Sequence, residues 1–496
     1  MFYNSTRNVS LVSTPSMAVL KGIADDGGLY IFNAYPTIAS LESLMSLDTL
    51  ELYTEILSAL ICDIPKEKMG ELVRKAYVGK FETADLTPLV KVGEDYVLEL
   101  FRGPTSAFKD VALSMLPHLV TASAQLNEVK DNIHILTATS GDTGKAAMAG
   151  FADVDGTRIT VFFPKDGVST VQQAQMLTQE GFNVCVCSVK GNFDDAQTGV
   201  KEIFKSVKEN ALLEGKNIRL SSANSINIGR LAPQVVYYFK SYFDLVKSGD
   251  IKLYDKVDFV VPTGNFGNIL AGYIAKGLGL PVGTLVCASN ENDVLTEFIN
   301  TGRYDKKRTF FKTASPSMDI LVSSNLERLL YLISGNDAEK VASYMAELGE
   351  KGEYTVDAST LQKIKKEFYA CACSDEDAFK TIKSTYEEKG YLLDTHTAVA
   401  MHVCEDYKKN NKDHNTCVVL STASPYKFAA DVLFAITGEK EENGFEALNK
   451  LETLTGVPIP KNLKGLDKKP ILHNSSIEKE EMLKFVLDYS TKELSK

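Results

Sequence analysis

Tryptophan is absent from this chain, histidine is scarce at six residues, and cysteine numbers eight in 496. Each shortage excludes something. No two histidines stand at a spacing that would ligate one metal, so metal catalysis has little to build on. The cysteines include two C-x-C pairs, Cys185 with Cys187 and Cys371 with Cys373, which is not a zinc pattern. In a strand-like run over 182–189, residues two apart simply share a face. No apolar stretch approaches the roughly 18 residues of a membrane span. The opening Met1, Phe2, Tyr3, Asn4, Ser5 lacks a charged-then-apolar signal pattern, which makes the cytoplasm the expected compartment. Positive charge is also short, with 54 Lys and Arg against 65 Asp and Glu and a formal net charge of -11. This argues against a broad cationic surface, and so against nucleic acid and anionic membrane as partners. Any anion site has to be local.

What is present is an ordinary globular composition, 44% hydrophobic with 33 Gly and 15 Pro, without repeats or low-complexity tracts. The length exceeds what one hydrophobic core organises, so two or three domains are expected, with a cleft between them. Residues 1–95 read as an N-terminal helical region, clearest over 34–64. Over 96–240 strand and helix alternate, with strand-like segments at 97–101, 133–138, 159–163 and 182–189 and helices starting near Thr143, Thr170 and Asp194. Over 241–496 the alternation resumes, with strands at 257–261, 282–288 and 417–421 and helices from Ile269 and Tyr426. A Lys- and Glu-rich helical insertion at about 338–407 interrupts it, and a helix from Glu478 closes the chain. Alternation of this kind means an α/β fold with parallel sheets.

Three strings fall at predicted strand ends, where open parallel sheets place ligands beside helix N-termini. The first, Gly103-Pro104-Thr105-Ser106-Ala107-Phe108-Lys109-Asp110, turns out of a strand into an apolar helix. Lys109 is electrostatically misplaced there, because the first turn of a helix favours anions. With apolar Phe108, Val111 and Ala112 around it, desolvation would lower its pKa toward nucleophilic use. Taken alone, a lysine after a turn is usually just solvated. The second string, Thr139-Ser140-Gly141-Asp142-Thr143-Gly144-Lys145, has the form of an anion-binding loop, with hydroxyls, backbone N–H groups and a helix start. It is not a Walker A loop, since Thr139 stands where Gly is required and Ala146 follows Lys145 in place of Ser or Thr. The third, Pro262-Thr263-Gly264-Asn265-Phe266-Gly267-Asn268, again links a strand to an apolar helix, and its two glycines let backbone approach a phosphate.

Together these strings resemble the threonine synthase family, within the fold-type II (tryptophan-synthase-β-like) pyridoxal phosphate (PLP) enzymes. The resemblance extends to Tyr3-Asn4-Ser5-Thr6-Arg7, Gly22-Ile23-Ala24-Asp25-Asp26-Gly27-Gly28-Leu29-Tyr30 and Asn224-Ser225-Ile226-Asn227 with Arg230. It also takes in Asp394-Thr395-His396-Thr397-Ala398 and Ser421-Thr422-Ala423-Ser424-Pro425-Tyr426-Lys427-Phe428, so it covers nearly the whole chain. It implies two α/β domains with parallel-type sheets flanked by helices, plus N-terminal and helical extensions. The smaller domain, 96–240, would carry the PLP lysine and substrate loop, and the larger, 241–496, the phosphate cradle.

The resemblance further implies that Lys109 holds PLP as a Schiff base, that Gly264, Asn265, Phe266, Gly267 and Asn268 cradle its phosphate, and that Thr422 faces the pyridine nitrogen. A hydroxyl there, unlike a carboxylate, leaves that nitrogen unprotonated. Asp142, standing where related enzymes commonly have Asn, would face the phenolic oxygen; Thr395 likewise replaces a usual Pro. Thr139, Ser140 and Thr143 would bind the substrate carboxylate, and Asn224, Ser225 and Arg230 its phosphate, with Lys145 adding charge. The implied substrate is O-phospho-L-homoserine, converted with water to L-threonine and inorganic phosphate in the last step of threonine biosynthesis. The alternatives are another lyase of this fold, such as a threonine or serine dehydratase or a phospho-lyase, and a PLP-binding homologue without turnover.

Overall fold

Two sheets carry the alternating segments in the computed structural model, which describes residues 1–139, 141–165 and 168–494 apart from the side chains at 193 and 194. The larger has six strands in the order Phe368–Ala372, Val282–Ser289, Val257–Pro262, Thr416–Ser421, Asp95–Glu99, Leu89–Val92, parallel except for the last pair. Every residue of Val257–Pro262 is buried, the mark of a strand covered by helices on both faces. The smaller sheet has five parallel strands, Ser475–Ile477, Val184–Val189, Thr157–Pro164, Asn132–Ala138 and Ile218–Ser222.

The helix Ile228–Ser248 forms a buried spine. Asn227 caps it by accepting the Gly229 N–H at 2.8 Å, and Gly249 ends it in the left-handed region. It packs against the helices Lys109–Leu126 and Gly267–Gly277, which start at two of the three strings singled out above. Side chains such as Leu231 and Phe239 are fully buried on it, each stabilising the fold by about 1.5–3 kcal/mol. Arg230 lies in its first turn.

The strands expected over 133–138, 159–163, 257–261, 282–288 and 417–421 are present, and the differences lie where pairing is non-local. Asp95–Glu99, the strand that leads to Lys109, belongs to the larger sheet through Thr416–Ser421, and Ser475–Ile477 returns to the edge of the smaller one. A cut at 96 and 240 therefore does not follow the sheets. The region 1–95 opens not with helix but with an antiparallel sheet of Asn8–Ser13, Tyr3–Ser5 and Tyr30–Phe32. Strands of three residues are too short to show alternation. Helices Pro15–Lys21, Leu41–Met45, Thr49–Leu60 and Lys66–Tyr77 make up much of the rest. The insertion at 338–407 is helical in four segments but includes Glu353–Thr355 and the edge strand Phe368–Ala372. Tyr426 lies in a 3-10 turn, Pro425–Phe428, ahead of the helix Ala429–Thr437, and the final helix is Met482–Thr491. No helix among the described residues is long and apolar enough to cross a membrane.

Candidate active site

Lys109 is the first residue of its helix, at the end of a turn pinned from two sides. Asp110 accepts from Thr105 N at 2.8 Å and from Thr105 Oγ1 at 2.5 Å. Across the sheet, Phe108 N–H donates to the Thr422 carbonyl at 2.8 Å and Ser424 N–H to the Ser106 carbonyl at 3.0 Å, with a β-bridge between Ala107 and Ala423. The spacing between Lys109 and Thr422 is thereby fixed by backbone. The Lys109 chain lies over the Phe108 ring, and its amine meets Ser317 Oγ at 3.5 Å and Asp142 Oδ2 at 3.8 Å. Burial brings its pKa down to about 8; Asp142 opposes that shift, while Arg230 and Lys427 reinforce it.

Asp142 begins the helix Asp142–Phe151. Its Oδ1 accepts from Lys427 Nζ at 2.7 Å and Gln172 Nε2 at 2.9 Å, and its Oδ2 from Ser317 Oγ at 3.2 Å. Burial alone would raise its pKa, but Lys427 and Lys109 outweigh that and hold it well below the usual carboxylate range. Gly141, at φ 139°, is required on two counts, since a Cβ there would also come within 2.6 Å of the Gln172 amide. Thr139 Oγ1 accepts from Gly141 N at 3.0 Å and Gly144 N at 2.9 Å. Two donors expected to face an anion are thus turned inward. Ser140 lies outside the described residues. Thr143 is half-buried, with no side-chain hydrogen bond among the described residues. Lys145 donates to Gln179 Oε1; burial, then Lys427, lower its pKa to about 7.

The third string shows a different construction. Phe266 takes a left-handed φ of 62° directly before the helix Gly267–Gly277, a strained conformation that tends to persist at ligand turns. A Cβ at Gly264 would come within 2.9 Å of the Ser317 carbonyl oxygen. Asn268 Oδ1 accepts from Tyr237 OH at 2.6 Å and Tyr238 OH at 3.0 Å, which orients the amide; its Nδ2 is buried without a partner. Thr422 is buried too, and its hydroxyl makes no hydrogen bond among the described residues.

One short segment joins this string to the loop that leads to Arg230. Asn325 donates from N and from Nδ2 to the Asn265 carbonyl, each at 3.1 Å, and from Nδ2 to the Ser225 carbonyl at 3.2 Å. Ser324 Oγ sits 3.3 Å from both Ser225 Oγ and Asn265 Oδ1. The fully buried Arg328 binds Asn325 Oδ1 together with the carbonyls of Ile226 and Tyr30. Asn224 is held by its own N–H on Ser222 Oγ at 3.2 Å. Arg230, only 4% exposed, donates from Nη1 to the Ala223 carbonyl at 3.0 Å. Its Nε has no partner, and no carboxylate pairs with it among the described residues. Burial lowers its pKa to about 10, which leaves it a cation at neutral pH.

The site also recruits residues that the sequence reading gave no role. Ser317 stands between Lys109 and Asp142, in a turn held by its N–H on His396 Nε2 at 3.1 Å. Because Nε2 accepts, the ring proton is on Nδ1, which faces Asp394 Oδ2 at 2.9 Å. Lys427 and His396 stand in strings quoted above for their resemblance; Gln172 and Ser317 had no signal beyond a helix start and a Pro-flanked serine. A surface groove of about 640 Å³ beside Asp131, Phe204 and Arg219 contains none of the expected site residues. Three possible metal ligands converge elsewhere, at Asp95, Cys404 and Cys417, where Lys408 already neutralises Asp95 at 2.6 Å.

Comparison with known proteins decides the family. Residues 86–422 match the pyridoxal-phosphate dependent enzyme family, 2–77 the threonine synthase N terminus and 397–476 the threonine synthase C-terminal region. Threonine synthase of Saccharomyces cerevisiae is 38% identical over 96% of this chain and 98% of its own length. The chain belongs to the threonine synthase family. Another relative, human threonine synthase-like 1, is 40% identical over 85% of the chain, which spans 58% of that longer protein. The PLP-bound threonine synthase of Brucella melitensis matches in structure with a TM-score of 0.87, 37% identity and 99% of both chains covered. The cofactor of this family is PLP. Threonine synthases must therefore hold a dianionic phosphate, and the residues here fit it, with an Asn268 Nδ2 unpartnered among the described residues, a close-packed Gly264 and a helix N-terminus in one turn.

Proposed function

We propose that this protein is a threonine synthase, converting O-phospho-L-homoserine and water to L-threonine and inorganic phosphate. Arg230 carries the reading. A buried guanidinium without a carboxylate, in the electrostatic field of Lys109, is a site for an anion. A dehydratase acting on unphosphorylated amino acids has only the substrate carboxylate to offer, which this reading assigns to Thr139, Ser140 and Thr143, and so leaves Arg230 without a second anion.

When bound, PLP supplies an electron sink that makes the Cα and Cβ hydrogens of an amino acid joined to it removable. Lys109 holds the cofactor through Nζ and, once released, is the base that takes those protons in turn. Gly264, Asn265, Phe266, Gly267 and Asn268 would seat the cofactor phosphate, and Asp142 would face the phenolic oxygen. The Thr422 hydroxyl would lie opposite the ring nitrogen and, unlike a carboxylate, would leave it unprotonated, which would favour elimination over transamination. Thr139, Ser140 and Thr143 orient the substrate carboxylate. Asn224, Ser225 and Arg230 grip the substrate phosphate and neutralise it as the Cγ–O bond breaks, with Lys145 adding charge nearby. Water then adds its OH to Cβ, its other proton balancing the one taken up by the departing phosphate, and Lys109 Nζ returns the two protons it removed, to Cγ and to Cα. The substrate is a small molecule, and a cytoplasmic location belongs to the same reading.

The test is to incubate the PLP-loaded protein with O-phosphohomoserine and measure phosphate and threonine together. Equal amounts are expected. Phosphate without threonine means a phospho-lyase, and neither product means a PLP-binding homologue without turnover.

A further inference from the structure

We propose that Lys427 is a positioning residue of the reaction: it closes an ion pair with Asp142 and so prevents that carboxylate from capturing the Lys109 amine in an inert pair of its own. This rests on Lys109 being the cofactor-bearing lysine.

The geometry divides Asp142 in two. Oδ1 is saturated by Lys427 at 2.7 Å and Gln172 at 2.9 Å, while Oδ2 faces Ser317 at 3.2 Å and Lys109 at 3.8 Å. The Lys427 side chain has no exposure, and its second bond, at 3.1 Å, goes to the Thr105 carbonyl in the very turn that leads into Lys109. A fully buried ammonium is expensive to keep and adds little stability even when paired. Its location argues for a use in the chemistry.

Every charge that faces Lys109 is accounted for. Asp110, on the same helix, is spent on Thr105; Arg230, from the spine helix, and Lys427, from the Pro425–Phe428 turn, both disfavour a second cation. Lys145 acts on Lys427 and bonds Gln179, and His396 is linked to Lys109 through Ser317. Two carboxylates stabilise the Lys109 ammonium, and Asp142 does so more strongly than Asp110. With Lys427 in place, Asp142 is matched by a nearer cation. Without it, an uncompensated buried carboxylate would hold Lys109 protonated. An ammonium neither attacks a carbonyl carbon nor removes a proton.

The experiment uses full-length protein stripped of PLP and reads, by peptide mass, how fast an amine-acylating reagent modifies Lys109 as a function of pH. Lys427→Met should raise the midpoint by roughly one to two pH units, and Asp142→Asn should lower it. In the double variant Lys427→Met/Asp142→Asn, the midpoint should fall back near that of Asp142→Asn, because no carboxylate remains to be released. The double variant removes both partners of the Lys427–Asp142 pair and strands neither, so it keeps the test decisive where Lys427→Met fails to fold. A midpoint unmoved by Lys427→Met or by Asp142→Asn overturns the proposal. Borohydride reduction of the loaded wild-type protein separates the two readings: a pyridoxyl label away from Lys109 removes the functional assignment, whatever the midpoints do.

Discussion

The two sheets contribute to the site in different ways. The C-terminal ends of three strands in the larger sheet lead to Lys109, to Gly264–Asn268 and to Thr422, all expected to contact the cofactor. Two strands of the smaller sheet, Asn132–Ala138 and Ile218–Ser222, lead to 139–145 and to the loop before Arg230, where the substrate is expected. Their internal bonding differs as well. Among the described residues the larger sheet leaves side-chain groups free, in Asn268 Nδ2 and the Thr422 hydroxyl; beyond the smaller sheet Arg230 Nε is free as well, but the loop at 139–145 turns N–H groups onto its own Thr139. On the side expected to hold the cofactor the groups are already presented, whereas on the side expected to hold the substrate Arg230 is presented and the 139–145 loop has N–H groups turned inward.

Substitutions can break this division or sharpen it. Lys109→Ala should have the largest effect, a loss of activity of about 10⁴-fold together with loss of the borohydride-fixed pyridoxyl label; retention of either would remove the larger sheet's central role. Arg230→Met comes next, with kcat/KM for the phosphorylated substrate falling by about 10²–10³-fold while cofactor absorbance is unchanged. If cofactor binding fell in parallel, the two sides would not be separable. At the cradle, Gly264→Ala should lower both thermal stability and PLP affinity, because its Cβ meets backbone at 2.9 Å. Gly267→Ala, with its nearest neighbour at 3.5 Å, should weaken PLP binding about tenfold and leave apoprotein stability alone. Equal behaviour of the two would mean that Gly267 is not close to a phosphate.

The smallest effect on catalysis should come from pH acting on the smaller sheet. His134 is buried between Ser490 and Thr160, at 2.7 and 2.8 Å, and burial pushes its pKa down to about 3. The unfolded chain takes up a proton near pH 6.5, whereas the folded chain does not do so until about 3. Between those values the unfolded state binds more protons, so stability is fully present above pH 6.5 and falls as pH drops. Calorimetry should show the melting temperature falling by several degrees on acidification, and less so in a His134→Gln variant.

What could be read from the chain and what could not divide along the same physical line. A strand, a turn and a helix start are written within about ten residues, so the strings that carry Lys109, Asp142 and Gly264–Asn268 stood out by position, while the roles expected of these residues came from the family resemblance. Lys427 gains its meaning only from Asp142, and Ser317 only from Lys109, Asp142 and His396, all remote in sequence. Thr139 shows the converse: its residue type suited a ligand, but its hydroxyl oxygen accepts from the loop itself. Strands of three residues, such as Tyr3–Ser5 and Ser475–Ile477, carry too few positions for any periodicity.

That last strand has a consequence for how the protein is made. Ser188 of Val184–Val189 bonds the Ser475 carbonyl, 287 residues further along. While the ribosome synthesises the intervening chain, which includes most of the larger sheet, the smaller sheet waits with one edge open. An open edge of buried-type residues, Val186, Cys187 and Val189 among them, can pair with other nascent chains. The interval before Ser475–Ile477 emerges is therefore the period of greatest aggregation risk, and slowing translation within it should lower the soluble yield.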